Sequence, residues 1–316
     1  MKAILKSVSR SFYLTIRLLP RPFREPVSLA YLLARATDTI ADTAEIPGAS
    51  RLTTLLALDR VISGELDFEA VAEPLRDFAA RQSDHHERNL IENLRVCIER
   101  LAAMESADRD DIRAVLQTIV RGQELDLRRF GDPASVVSLQ SAAELDEYTY
   151  LVAGCVGDFW TKLGFRHLRG FAHRSPNEMS QLGIEYGKGL QLINVLRDTG
   201  ADLQTGRRYL PANELAAAPA ADVFSRWLTK AEEQLTSGIE YCSALTNWRV
   251  RFATVLPALI GARTLALLRE AGAEAWSRKI KVPRKEVRRI LARGFVAATS
   301  PAALRVLFQR LLAPPR

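Results

Sequence analysis

Apolar residues along this chain recur at three- and four-residue intervals through long runs rich in Ala, Leu, Arg and Glu, and no useful length alternates apolar with polar at period two. The pattern favours helices over strands and predicts an all-α class. Helical runs are expected at roughly 27–43, 50–63, 66–81, 85–104, 108–130, 142–164, 177–199, 220–245, 251–271 and 284–311. Pro20, Pro22 and Pro26 should break the chain before the first run, because proline lacks the N–H that an interior helical turn uses. Gly131-Asp132-Pro133, Ser175-Pro176-Asn177 and Pro211 mark later junctions. No low-complexity linker separates the runs, so residues 1–316 are read as one domain, although the length also permits two.

Two of these runs carry polar stripes inside otherwise apolar sequence. At about 100° per residue, Tyr31, Arg35, Asp38 and Asp42 fall within a narrow sector of the first helix. In the run 177–199 and its extension, Gln191, Asn194, Asp198 and Asp202 do the same. Like-charged carboxylates four residues apart repel, and partial burial raises the cost of ionising them. A bound cation removes both penalties. Mg²⁺ prefers oxygen ligands, keeps several waters and bridges a few carboxylates to substrate phosphates, so two such helices suit a metal cluster that grips a diphosphate. A single acidic pair is more often a solvated helix end; the duplication, with an amide or arginine on each stripe, favours metal and diphosphate. His85 and His86, in the polar start Asp84-His85-His86-Glu87, read as solvated.

Charge and cysteines narrow the setting. Residues 278–316 hold eleven Lys and Arg against the single acid Glu286, so this basic C-terminal segment carries +10 of a net +7 and the rest −3. Lys279, Lys281, Arg284, Lys285, Arg288 and Arg289 lack interleaved aromatics or a DNA-binding motif, which argues against nucleic acid. An anionic membrane surface is a better match, and a solvated helix face is the plainest. Cys97, Cys155 and Cys242 are too scattered for a disulfide framework or a CxxC site. With no signal-peptide core in residues 1–6 and no run of roughly 18 uninterrupted apolar residues, the expectation is a cytoplasmic protein, soluble or peripheral to a membrane.

Five segments, in order, resemble the squalene/phytoene synthase family across nearly the whole chain: Ser9-Arg10-Ser11-Phe12-Tyr13, Asp38 to Asp42, Tyr148 to Gly157, Gln191 to Asp202, and Gly206-Arg207-Arg208-Tyr209-Leu210-Pro211. The resemblance implies the α-helical isoprenoid synthase fold, with two aspartate helices across a central cavity. It implies head-to-head joining of two prenyl diphosphates through a cyclopropylcarbinyl diphosphate, which squalene synthases then reduce with NADPH. Carried over by position, Asp38, Asp42, Asn194, Asp198 and Asp202 would bind Mg²⁺. Arg35, Arg197 and Arg207 would hold diphosphate oxygens, with Arg10 beside them in the N-terminal signature. Tyr148 matches a tyrosine that assists proton removal or stabilises cations; Phe12, Tyr31 and Gln191 match wall residues. Gly154 and Gly157 would allow a close helix approach.

The chain departs from the family pattern at Ala41 and Ala201, where many relatives carry Glu, which weakens any claim about metal count. No Gly-rich dinucleotide loop is present, so NADPH would rest on helix ends and on Lys281 and Arg284. The leading expectation is conversion of two farnesyl diphosphates to squalene. Synthases that stop at presqualene diphosphate, add water to give hydroxysqualene, or make dehydrosqualene or phytoene are the alternative. A non-catalytic assembly factor would be expected to have lost the aspartates, and all four are retained. Prenyl chain length and oligomeric state are not legible at this level.

Overall fold

The computed structural model describes residues 4–5, 8, 12–131, 135–277 and 280–313, the side chains of residues 12–14 excepted. Nearly all of this is helical, as the apolar periodicity requires. The chain falls into two compact units, Met1–Asp132 and Pro133–Arg316, divided at the Gly-Asp-Pro junction.

The first unit contains α1 (Phe12–Leu18), α2 (Arg21–Asp42), α3 (Gly48–Ser63), α4 (Glu69–Arg81), α5 (His85–Glu92), α6 (Leu94–Ala102) and α7 (Ser106–Phe130). Its centre is α2, whose Phe23, Leu29, Leu32, Leu33, Ala36 and Ile40 are fully buried against α3, α5, α6 and α7. The helix begins before the point the prolines suggested. Pro20 takes the N-cap position and Pro22 the first turn, where an N–H would have no intrahelical partner. Pro26 lies inside the helix, buried, at the cost of one backbone hydrogen bond. The expected run 85–104 divides at Asn93, which ends α5 and starts α6. Arg51 of α3 is buried and donates to the carbonyls of Ala41 and Gly131, both at 2.8 Å, which fixes the acidic end of α2.

The second unit contains β1 (Val137–Ser138), α8 (Ala142–Thr149), a π-helical turn (Tyr150–Gly154), α9 (Cys155–His167), α10 (Pro176–Gln204), β2 (Arg207–Arg208), α11 (Ala212–Ala217), α12 (Ala220–Ala244), α13 (Trp248–Ala271), α14 (Arg284–Ala297) and α15 (Pro301–Leu312). The spine is α10. It starts with a capping box, in which Ser175 and Glu178 satisfy each other's backbone N–H groups, and has Pro176 in its first turn. It packs on α12, α9, the π turn and α13. The last expected run breaks after Ala297, and the Ser300 hydroxyl caps α15 by accepting from the Ala303 N–H. α13 is long and apolar enough to cross a membrane, but 78% of its most apolar window is buried inside the fold, as in a core helix.

Candidate functional site

In the first unit the acidic stripe lies on the last turns of α2. Asp38 is half-buried and Asp42 exposed, one turn apart. The Arg35 guanidinium spans two carboxylates: Nη1 donates to Asp38 Oδ2 at 2.6 Å, and Nη2 donates to Glu87 Oε1 of α5. Burial works to lower the Arg35 pKa, but the Asp38 and Glu87 carboxylates outweigh it and raise it. Burial and the neighbouring Asp42 push the Asp38 carboxyl up to about 6, against the opposing pull of Arg35. The ionised form of Asp38 is therefore disfavoured even with its arginine in place. Tyr31 sits two turns back, half-buried, with its hydroxyl 3.5 Å from the Val8 carbonyl. Arg10 lies outside the described residues, as does the Phe12 side chain.

In the second unit the stripe runs along α10. Asn194 Nδ2 donates to Gln191 Oε1 at 3.3 Å, so the two amides share one face. Arg197 pairs with the adjacent Asp198, through Nε to Oδ1 at 3.1 Å and through Nη2 to Oδ2. Asp202 is half-buried near the C-terminal end of the helix, where its carbonyl accepts from Thr205. The chain turns back at Gly206, whose φ of +77° suits glycine. It then pairs in parallel with β1, Val137 opposite Arg207 and Ser138 opposite Arg208. Arg208 Nε donates to Ser138 Oγ at 2.5 Å. This two-residue ladder fixes Arg207 and the buried Tyr209 just past the second aspartate pair. Tyr148 of α8 stacks on Tyr209, ring centroids 4.9 Å apart and planes at 26°.

Glycine explains how α8 and α9 come so close to α10. A Cβ on Gly157 would lie 1.8 Å from the Gly183 carbonyl oxygen, and one on Gly187 would lie 2.2 Å from the Ala153 carbonyl oxygen. The π turn sits at this contact, and Gly154 leaves room for the stem of Lys188, whose Cγ would be 3.0 Å from an added Cβ. Lys188 is almost wholly buried and ties the elements together, donating to Asp146 of α8 at 2.6 Å and to Glu185 at 3.1 Å. Burial lowers its pKa, but the hydrogen bonds to Asp146 and Glu185 more than compensate and raise it. Sequence reasoning singled out neither Lys188 nor Glu87. Glu87 was grouped with two solvated histidines, and only its contact with Arg35 distinguishes it.

Among the described residues no three His, Cys, Asp or Glu side chains gather into a ready-made metal cage. The donors come instead as carboxylate pairs, a set that suits Mg²⁺ completed by water and phosphate oxygens rather than Zn²⁺ or a closed Ca²⁺ site. Asp38 supports that fit, since burial and Asp42 disfavour its ionised form despite the Arg35 contact. Lys281 and Arg284 are exposed, before and at the start of α14. Their charge suits nucleotide phosphates.

Comparison with known proteins identifies the family. The chain is 26% identical over 298 residues to the presqualene diphosphate synthase of Zymomonas mobilis, covering 89% of this chain and 84% of that protein. It is 26% identical over 209 residues to squalene synthase ERG9 of Saccharomyces cerevisiae, covering 66% of this chain but only 44% of the yeast protein. Among solved structures, TcSQS in complex with a ligand shares the fold at a TM-score of 0.75 and 22% identity, over 98% of this chain and 88% of that one. A sequence profile of the squalene/phytoene synthases matches residues 5–286. With both aspartate stripes, Tyr148 and the paired Arg207 segment lying inside that span, the chain belongs to the squalene/phytoene synthase family, the prenyltransferases that join two isoprenyl diphosphates head to head.

Proposed function

We propose that this protein converts two farnesyl diphosphates to squalene through presqualene diphosphate. The observation that carries the diphosphate chemistry is the α2 stripe: two carboxylates one turn apart, one with its pKa raised to about 6, beside an arginine already committed to two acids. Such a stripe is relieved by a divalent cation that brings its own phosphate oxygens. Asp38 and Asp42 in one unit, and Asn194, Asp198 and Asp202 in the other, are the residues to hold Mg²⁺. When bound, Mg²⁺ supplies the positive charge that offsets the departing diphosphate, and NADPH supplies the hydride for the reductive half-reaction. Arg35, Arg197 and Arg207 orient diphosphate oxygens through the guanidinium fork. Tyr148, held flat against Tyr209, would present its phenol oxygen to the cationic intermediate, stabilising the charge or passing the proton it loses on to the diphosphate leaving group. Lys281 and Arg284 hold nucleotide phosphates.

The similarity to the Zymomonas mobilis protein, which extends over 89% of this chain, favours a second reading in which the reaction ends at presqualene diphosphate. Product analysis separates the two. Incubation with farnesyl diphosphate and Mg²⁺ should give squalene only when NADPH is added. Presqualene diphosphate that accumulates unchanged by NADPH would establish the second reading.

The apolar product calls for a place to leave. Phe295 and Val296 of α14 are exposed, with Phe295 and Trp248 packed edge to face, ring centroids 5.3 Å apart, and the Arg249 guanidinium lies over the same indole at 5.7 Å. Arg288, Arg289 and Arg293 project from the same helix. Apolar and indole groups among arginines match the interface of an anionic bilayer, so we propose peripheral membrane contact through this surface. Co-sedimentation with phosphatidylglycerol vesicles, but not with phosphatidylcholine vesicles, is the expected result.

A further inference from the structure

We propose that Glu87 is a positioning residue for diphosphate binding: it retains Arg35 at the acidic stripe when Asp38 turns to the metal. The inference rests on the diphosphate reading of α2 given above. Its basis is the way the segment joining α4 to α5 is laced along that helix. At one end, buried Gln82 donates from Nε2 to the buried Thr43 hydroxyl at 2.6 Å, and Thr43 in turn donates to the Thr39 carbonyl at 2.6 Å. Arg88 closes the segment on itself by donating from Nη2 to the Gln82 carbonyl at 2.6 Å. Asp84 caps α5 by accepting from the His86 N–H at 2.8 Å, which sets Glu87 in the first turn. Glu87 then accepts from Arg35 with a side chain only 22% exposed. Residues 82–88 thus grip α2 just beyond Asp42 and again at Arg35.

The arrangement has a chemical consequence. Arg35 presents Nη1 to Asp38 and Nη2 to Glu87, so its two carboxylate contacts have separate fates. A cation that takes up the Asp38 oxygens removes the first partner and leaves Nη1 with a donor to offer. The second partner keeps the guanidinium in place, so that donor remains at the stripe, where a diphosphate oxygen accompanying the cation can accept it. Without Glu87 the arginine has one anion left, closes on Asp38 and competes with the cation for the same oxygens. Arg35 would then oppose metal binding rather than complete it.

The test uses inorganic diphosphate with Mg²⁺, followed by calorimetry on the full chain, so that the readout is binding and not turnover. Glu87→Gln keeps the shape of the side chain and removes its charge. It should weaken diphosphate binding on the order of tenfold and raise the Mg²⁺ concentration needed for half-saturation, with far-UV dichroism and melting temperature close to wild type. Glu87→Asp should restore part of the affinity. In an Arg35→Gln background, Glu87→Gln should cause no further loss, an outcome that a purely structural role for Glu87 would not give. Wild-type affinity in a folded Glu87→Gln protein, or an equal loss with and without Arg35, would overturn this inference while leaving the diphosphate reading intact. Failure of the wild-type protein to bind inorganic diphosphate would overturn both.

Discussion

Gly157 of α9 and Gly183 of α10 meet backbone to backbone, with no room for a methyl group on either: a Cβ on Gly157 would stand 1.8 Å from the Gly183 carbonyl oxygen, and one on Gly183 would stand 2.7 Å from the Gly157 oxygen. The neighbour in each direction is main chain, which cannot rotate aside as a side chain does. Gly157→Ala should therefore destabilise the protein by overpacking, by about 1–3 kcal/mol or more, despite the better helix propensity of alanine. Urea unfolding should show a lower midpoint for Gly157→Ala; at Gly170 nothing lies within 4 Å of an added Cβ, so any loss in Gly170→Ala comes from the backbone and not from packing. The strain there is confined to its φ of +62°. A Gly157→Ala protein as stable as wild type would mean that the two helices can part cheaply.

Much of this was legible in the sequence, and the omissions share a cause. Periodicity located the helices and showed that Asp38 and Asp42, and Asp198 and Asp202, lie on single faces, because a face is a property of one segment. The two glycines in Tyr148 to Gly157 signalled a close approach because their cost within a helix needs a packing reason. Their partners Gly183 and Gly187 lie far along the chain, and no local pattern links the pairs. Glu87, Lys188 and the pairing of β1 with Arg207–Arg208 are likewise contacts between distant segments. The Pro26 expectation failed for a different reason: burial in α2 outweighed a local preference.

Tyr148 stacks on Tyr209, a contact that removing its hydroxyl leaves intact, so a Phe in its place isolates the proposed role of the hydroxyl. Tyr148→Phe should lower kcat by about two to four orders of magnitude, the size of a general acid–base contribution. Binding of inorganic diphosphate should be unchanged if, as proposed, the hydroxyl acts on the cationic intermediate. An unaltered kcat would leave Tyr148 as a packing residue.

The three thiols are buried, and burial raises their pKa, Cys97 to about 11, Cys155 to about 12 and Cys242 higher still. At pH 8 they should resist iodoacetamide until the protein unfolds. Linkage gives the sign of the pH effect: an unfolded thiol ionises near 8.5, while the folded thiols stay neutral. Their stabilising contribution is complete below about pH 8.5 and is lost as pH rises towards 11 and 12. The melting temperature should fall over that window, and Cys97→Ala should flatten the fall.

A proton and Mg²⁺ should compete for the Asp38 carboxylate. In the absence of a cation its folded pKa is raised to about 6, by burial first and Asp42 second. An acid whose folded pKa exceeds its unfolded value stabilises the fold fully at low pH and loses that contribution as pH rises through about 6, because the fold disfavours the ionised form. At pH 7.5 the carboxylate is ionised and only partly offset by Arg35, and Mg²⁺ should raise the melting temperature. At pH 5 the proton occupies the site, and the same Mg²⁺ concentration should raise it much less. Asp42→Asn removes the like charge one turn away, so Asp38 should ionise at lower pH and the Mg²⁺ effect should persist further into the acid range, though weakened by loss of a ligand. Asp38→Asn should abolish the pH dependence and turnover together while the fold survives. A melting temperature raised equally by Mg²⁺ at pH 5 and 7.5 would place the cation elsewhere on the protein and remove Asp38 from the metal site.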